Sequence, residues 1–247
     1  MSQILFLIFL PIVAFLYSSV GHGGASAYLA LMALLQFVPE HMKPIALILN
    51  IVVSLIAFLL FYRTIRMPWK LFLTLCAASI PAAYWGGCLP VEPHWYKWML
   101  GLILLIPTWR LLQNHQQAER PVRSFNPYAT LGIGAGIGFI SGLIGIGGGI
   151  LLSPVLIFLR WAHLKETACI SALFIFVNSV SGLMGQQKSL KIMYDLYQAE
   201  WFVWMMILAV LGATSGAYYG ANKLNTRMMK IFLAVVLATA SIKLLLA

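Results

Sequence analysis

Charge is what this chain has least of. Asp, Glu, Lys and Arg make up only 9% of its 247 residues, against about 25% in an ordinary soluble domain. That shortage, with 62% hydrophobic residues and a mean hydropathy of +0.91, excludes a soluble globular enzyme. Cysteine is scarce as well. Cys76, Cys88 and Cys169 lie far apart with no C-x-x-C, which argues against a disulfide framework, a redox pair or a thiolate metal site and reads as packing. No H-E-x-x-H, P-loop or G-x-S-x-G occurs, and a dinucleotide fingerprint fails because Ile150 stands where its last glycine is needed. An intramembrane enzyme would need a nucleophile beside a base, and His22 near Ser19 is the lone candidate pair. The expectation is a protein that is not an enzyme and holds no cofactor and no metal. The N-terminus has neither a basic n-region nor an A-x-A-like site, so it reads as a first helix rather than a signal peptide.

What is present is apolar runs of membrane-spanning length from end to end. They do not alternate as barrel strands do, so they are expected to be helices. The runs cover 4–20, 25–38, 44–62, 69–89 and 95–112. A polar stretch at 114–126 follows, and the pattern begins again with 127–145, 149–159, 166–185, 200–222 and a last run ending at Ala247. Residues 39–43 read as a loop. The division is a first transmembrane repeat over 1–113, a cytoplasmic linker over 114–126 and a second transmembrane repeat over 127–247. Three matches in the same order support the repeat. Ser19–Ala25 (S-V-G-H-G-G-A) aligns with Leu143–Gly149 (L-I-G-I-G-G-G), Asn50 with Asn178, and Ala83-Tyr84-Trp85-Gly86 with Ala217-Tyr218-Tyr219-Gly220.

Each half has five runs, an odd number, so the second half should be inserted upside down. The basic residues agree. With 63–70 placed in the cytoplasm, eleven Lys and Arg fall on that side and five (Lys43, Lys97, Lys188, Lys191 and Lys243) on the other, the bias that orients membrane chains. The net charge of +10 is thereby explained by topology, not by nucleic acid. The fold class expected is an all-α polytopic membrane protein with two inverted-topology repeats, each holding a Gly-broken helix pair, with 8–10 membrane helices.

The broken pairs are where chemistry is expected. Gly145, Gly147, Gly148 and Gly149 interrupt one run, and Gly21, Gly23 and Gly24 interrupt another. Glycines weaken a helix by about 1 kcal/mol each relative to Ala, so each cluster should end one helix and start another. A helix starting at Gly24-Ala25-Ser26, and one starting at Gly148-Gly149, would each present unpaired N–H groups and about half a positive charge. Paired interruptions in two inverted halves point to a transport site near the bilayer midplane. No Lys, Arg, Asp or Glu lies deep inside any run, so two facing helix N-termini would have to hold an anion by themselves. The substrate-binding candidates are Gly21, His22, Gly23, Gly24, Ala25, Ser26, Asn50, Gly145, Gly147, Gly148, Gly149 and Asn178. Ser18, Ser19, Ser141 and Ser153 flank the turns as further hydroxyls. Gly132, Gly134, Gly136, Gly138 and Gly142, the set Gly212, Gly216 and Gly220, and the set Ala78, Ala82 and Gly86 are spaced for close helix contact. Trp69, Trp95, Trp98, Trp161 and Trp201 near run ends read as interface anchors.

The G-x-G-G-(A/G) turns at Gly21–Ala25 and Gly145–Gly149, Pro154 soon after the second, the two-half layout and the length resemble the TauE/SafE sulfite exporter family. The first turn departs from the pattern, with His22 inside it and Ala25 in place of the third glycine. The resemblance implies a multi-pass transporter of the bacterial inner membrane that exports a small sulfur-containing anion such as sulfite or a sulfonate. Uptake of thiosulfate or a related compound, a channel, and an assembly protein without transport are the alternatives. The partners expected are a small anionic substrate and the lipid bilayer, with further copies of the chain as an open option.

Overall fold

A computed structural model describes residues 2–19, 24–63, 65–112, 121–187, 199–222 and 226–246. Among them are ten helices and no strand: α1 (Ser2–Ser19), α2 (Ala25–Leu34), α3 (Pro39–Tyr62), α4 (Trp69–Cys88), α5 (Pro93–Leu112), α6 (Pro127–Ile144), α7 (Gly149–Leu159), α8 (Leu164–Gly185), α9 (Ala199–Asn222) and α10 (Thr226–Leu246). The protein is an all-α polytopic membrane protein. Four helices, α3, α4, α6 and α8, are long and apolar enough along their described residues to cross a bilayer. The helices that follow the glycine clusters, α2 and α7, are short, with 10 and 11 residues.

Local chemistry sets the ends. α6 starts where the Asn126 side chain accepts from the N–H groups of Tyr128 and Ala129 and Pro127 takes the first helical position. α8 opens two residues earlier than the hydropathy implied, because Glu166 reaches back to the His163 N–H (2.8 Å) in a capping box. Residues 39–43 are not a loop. Pro39 sits at the first position of α3 after an extended Val38, and a proline there forfeits no hydrogen bond. α2 stops at Leu34, short of Val38. Gln36 takes a left-handed conformation (φ 60°), and the Phe37 N–H returns to the Met32 carbonyl (2.9 Å), closing the helix end.

The largest helix pairings survive exchange of each element with the one five places on, whereas α2 on α10 and α6 on α8 have no such counterpart. α4 lies along α6 and α9 lies along α1. α4 also packs on α8, as α9 does on α3. α3 crosses α8, and α5 crosses α10. So the fourth helix of each half rests on the first helix of the other half. One apolar core gathers Phe6, Leu10, Tyr28, Met32, Leu49, Tyr96, Met205 and Leu237. The other gathers Leu71, Leu75, Cys76, Leu152, Leu156, Cys169, Ile170 and Phe174.

Small residues let these helices touch through their backbones. A Cβ on Gly134, Gly138 or Gly142 of α6 would collide with the carbonyl oxygens of Leu75, Ser79 and Ala83 on α4, and one on Gly86 with that of Phe139. A Cβ on Gly212 or Gly216 of α9 would collide with those of Pro11 and Phe15 on α1. Gly132 and Gly136, expected in the same contact, face open space. The α4 ridge runs through Leu75, Ser79 and Ala83, not through Ala78 and Ala82; of the expected set Gly86 alone is in it. Cys76 and Cys169 are buried, whereas Cys88 is exposed at the end of α4. Trp69, Trp95 and Trp98 are exposed as anchors should be, but Trp201 is buried, stacked 6.0 Å from Phe6.

Candidate functional site

The second glycine turn is built as the sequence implied. α6 ends at Gly145 (φ 89°), whose N–H donates to the Ser141 carbonyl at 2.8 Å. Gly147 and Gly148 are also left-handed (φ 78° each), a region open to glycine at no steric cost. α7 then starts at Gly149. Leu151 and Leu152 both donate to the Gly148 carbonyl, which leaves the N–H groups of Gly149 and Ile150 ahead of the helical ladder. α2 is built alike. Ala27 and Tyr28 donate to the Gly24 carbonyl, so the N–H groups of Ala25 and Ser26 precede its ladder.

Both helix starts border one small pocket. Its lining is Tyr17 from α1, Ala25 and Ser26 from α2, Ile146, then Gly149, Ile150 and Ser153 from α7, with Ser171, Ala172 and Ile175 from α8. Among the described residues the walls are apolar apart from four hydroxyls, all buried. Tyr17 and Ser26 share a hydrogen bond of 2.5 Å. Ser153 donates to the Gly149 carbonyl at 2.9 Å and meets the Ser171 hydroxyl at 2.8 Å, which must therefore be the donor in that pair. The proton count differs between the two pairs. Ser153 and Ser171 spend both protons on these bonds. Among the described residues, Tyr17 and Ser26 have two protons for one bond, so one O–H is left to offer the pocket. The carbonyls of Gly24, Gly148 and Gly149 already accept, and no carboxylate lines the space. The pocket is thus rich in donors at the positive ends of two helices, a setting that favours an anion.

The expected residues divide into four groups. Ala25, Ser26 and Gly149 border the pocket, with Ser153 among the flanking serines. Gly24, Gly145, Gly147, Gly148 and Asn50 shape the ground behind it. Asn50, from the first half, donates its amide N–H to the Ile146 carbonyl of the second-half turn at 3.2 Å. A Cβ on Gly147 would sit 2.9 Å from both the Asn50 amide nitrogen and the Ser179 hydroxyl, so the turn needs glycine there for space as well as for φ. Gly24 lies against the Tyr28 ring, whose own hydroxyl is buried. Asn178, Ser18 and Ser141 do not reach the pocket; Asn178 turns its amide back to the Phe174 carbonyl at 2.9 Å. Gly21, His22 and Gly23 lie outside the described residues, as does the side chain of Ser19.

Tyr17 and Ser171 were not among the expected site residues. Tyr17 precedes the flanking serines by one position, and Ser171 lies two helical turns before Asn178, on the same face of α8. That spacing was the available signal. No charged residue was expected deep inside an apolar run, and Lys43, just before the run at 44–62, is nevertheless a mostly buried residue. Lys43 is 9% exposed in α3, with its ammonium 4.8 Å from the centre of the Tyr96 ring. It escaped notice because residues 39–43 read as a solvated loop. Tyr96 in turn donates to the Ile144 carbonyl at the end of α6 (3.0 Å). No group of three or more His, Cys, Asp or Glu that could hold a metal occurs among the described residues.

Comparisons with known proteins agree with this architecture. The family model described as sulfite exporter TauE/SafE matches residues 5–244. A "probable membrane transporter protein" of Sinorhizobium fredii is 32% identical over 238 residues, covering 95% of this chain and 94% of the relative. A second, of Methanocaldococcus jannaschii, is 28% identical over 124 residues, covering 48% of this chain and 45% of the relative. No solved structure matches significantly. The match along nearly the whole chain, over a bundle of helices twice broken at glycine clusters, makes this protein a member of the TauE/SafE sulfite exporter family and a multi-pass membrane transporter.

Proposed function

We propose that this transporter exports a small sulfur-containing oxyanion, sulfite or a sulfonate, across a bacterial inner membrane. The anion binds near the midplane between the N-termini of α2 and α7. One observation carries this reading: two helix starts from opposite halves of the chain border the same buried pocket, and the N–H groups of Ala25, Ser26, Gly149 and Ile150 precede their helical ladders there. An oxyanion without protons on its oxygens suits a cradle of N–H and O–H donors. The free proton of the Tyr17–Ser26 pair adds one donor from the side chains.

The two halves are inverted repeats in this reading, as the exchangeable helix pairings and the uneven Lys and Arg distribution support. Both termini then face out, and alternating access is a rocking of one half against the other. An inside-negative potential drives an anion outward by about 2.3 kcal/mol per charge per 100 mV. The test is flux in proteoliposomes loaded with sulfite, thiosulfate, sulfate or a small sulfonate. Sulfite or sulfonate should leave the vesicles in a saturable manner. The Tyr17→Phe, Ser26→Ala double variant should raise the half-saturating concentration about tenfold, the worth of one hydrogen bond to a charged group. Lack of movement of all four anions sinks the proposal.

A further inference from the structure

The start of α2 holds a hydroxyl with nothing to bond. Tyr28 is fully buried, and its O–H finds no hydrogen-bond partner among the described residues. Burying a hydroxyl unpaired carries a desolvation cost. A phenylalanine would keep the ring and avoid that cost, so packing alone does not account for a tyrosine here. Side chains of a helix lean toward its N-terminus. The Tyr28 ring leans over its own helix start in this way. A Cβ on Gly24 would stand 2.5 Å from the Tyr28 Oη, so the hydroxyl rests against the N-cap residue of α2. This is the helix end at which the N–H groups of Ala25 and Ser26 precede the ladder. The hydroxyl is also near enough to that of Tyr17 for the two to interact electrostatically.

The two sides of the pocket therefore differ in what they can give. On the second-half side, Ser153 and Ser171 spend both protons on each other and on the Gly149 carbonyl. On the first-half side, Tyr17, Ser26 and Tyr28 have three O–H protons and, among the described residues, one bond between them. Two donors are left over at the positive end of α2. The free space in the pocket is about 10 Å³, room for a single water molecule. A sulfur oxyanion with three oxygens is larger and has to press past the present lining. Next to Ala25 in that lining stand Gly24 and the Tyr28 hydroxyl.

We propose that Tyr28 is a substrate-contacting residue whose hydroxyl donates to an oxygen of the transported anion. The first-half wall, Tyr17, Ser26 and Tyr28, then holds the anion, and the second-half serines hold the pocket together. The inference rests on the export reading above and assigns its binding energy to one side of the site.

The experiment compares Tyr28→Phe with Tyr96→Phe. Both tyrosines are fully buried, but the Tyr96 hydroxyl already donates to the Ile144 carbonyl. Thermal midpoints of the full chain are measured in detergent without sulfite, and sulfite flux is measured in proteoliposomes. Tyr28→Phe should melt at or above the wild-type midpoint, because it removes an unpaired buried O–H, and should raise the half-saturating sulfite concentration about tenfold. Tyr96→Phe should do the reverse, lowering the midpoint by about 2–4 °C with a much smaller change in half-saturation. A lower midpoint or a lost fold in Tyr28→Phe means that its hydroxyl bonds the protein, and overturns the inference. Unchanged half-saturation in Tyr28→Phe also overturns it, while the export reading stands. Failure of the wild type to move sulfite, thiosulfate, sulfate or a small sulfonate removes both.

Discussion

The α4–α6 and α1–α9 interfaces are alike in kind, yet, Gly86 of α4 aside, their glycines sit on opposite partners. In the first, Gly134, Gly138 and Gly142 belong to α6, the opening helix of the second half. In the second, Gly212 and Gly216 belong to α9, the fourth helix of its half. The two contacts are equally close, with most of the glycines on different sides of them. What such an interface requires is a short distance between two backbones, and a missing Cβ on either side provides it. Sequence alignment of the two halves therefore matches the turns and the asparagines but does not match the glycine ridges.

Substitution can break this comparison. The largest effect is expected for Gly142→Leu and Gly216→Leu, where a side chain would meet the carbonyls of Ala83 and Phe15. Backbone carbonyls cannot rotate away as a side chain can, so each should cost about 3 kcal/mol or more and lower the folded yield. Fluorescence-detected size exclusion after heating would show whether the two interfaces are equally intolerant. Gly136→Leu is the control. With open space around it, its midpoint should stay within about 0.5 kcal/mol of wild type. A loss as large as that of Gly142→Leu would mean that another surface covers this face.

A smaller contrast separates the two asparagines. Asn50→Ala removes a bond that ties the first half to the second-half turn and leaves the Ile146 carbonyl unpaired. It should cost about 1–2 kcal/mol and slow flux. Asn178→Ala removes a bond within its own helix turn, whose carbonyl is already used by the helix, and should cost under about 1 kcal/mol. Equal effects would indicate that Asn178 supports the first turn as Asn50 supports the second. A small effect, above that of the Gly136→Leu control, is expected at the far ends of the short helices. Lys243 donates to the Leu34 carbonyl at the end of α2 (2.8 Å), where a cation suits the helix dipole. Lys243→Met should lower the midpoint by the equivalent of about 0.5–1 kcal/mol. α7 instead ends on a left-handed Arg160 whose carbonyl accepts from the Arg123 N–H at 2.7 Å. Removing a side-chain cation there should matter less.

Much of the site was legible because glycine acts locally. The boundaries of α7 were read from the glycines at 145–149 and the apolar run behind them, and the structure agrees to the residue. Proline was read less well. Pro39 beside Glu40, His41 and Lys43 has the composition of a loop, whereas in space it is the first residue of α3, which also takes in Lys43. Tyr17 and Ser171 were missed for a different reason. Each is an unremarkable residue of a membrane helix, and each becomes a pocket wall through partners on another helix: Ser26 for Tyr17, Ser153 for Ser171.

The sequence by itself determined that the chain is helical, that it resides in a membrane and where its helices break. Those properties follow from composition, run length and backbone freedom, which act over a few residues. Tertiary structure alone decided which glycines touch a neighbour, which hydroxyls pair across helices and that a lysine lies beside the glycine turn. These depend on which helices cross and at what depth. Two helix starts separated by more than a hundred residues become one pocket only when both halves fold against each other.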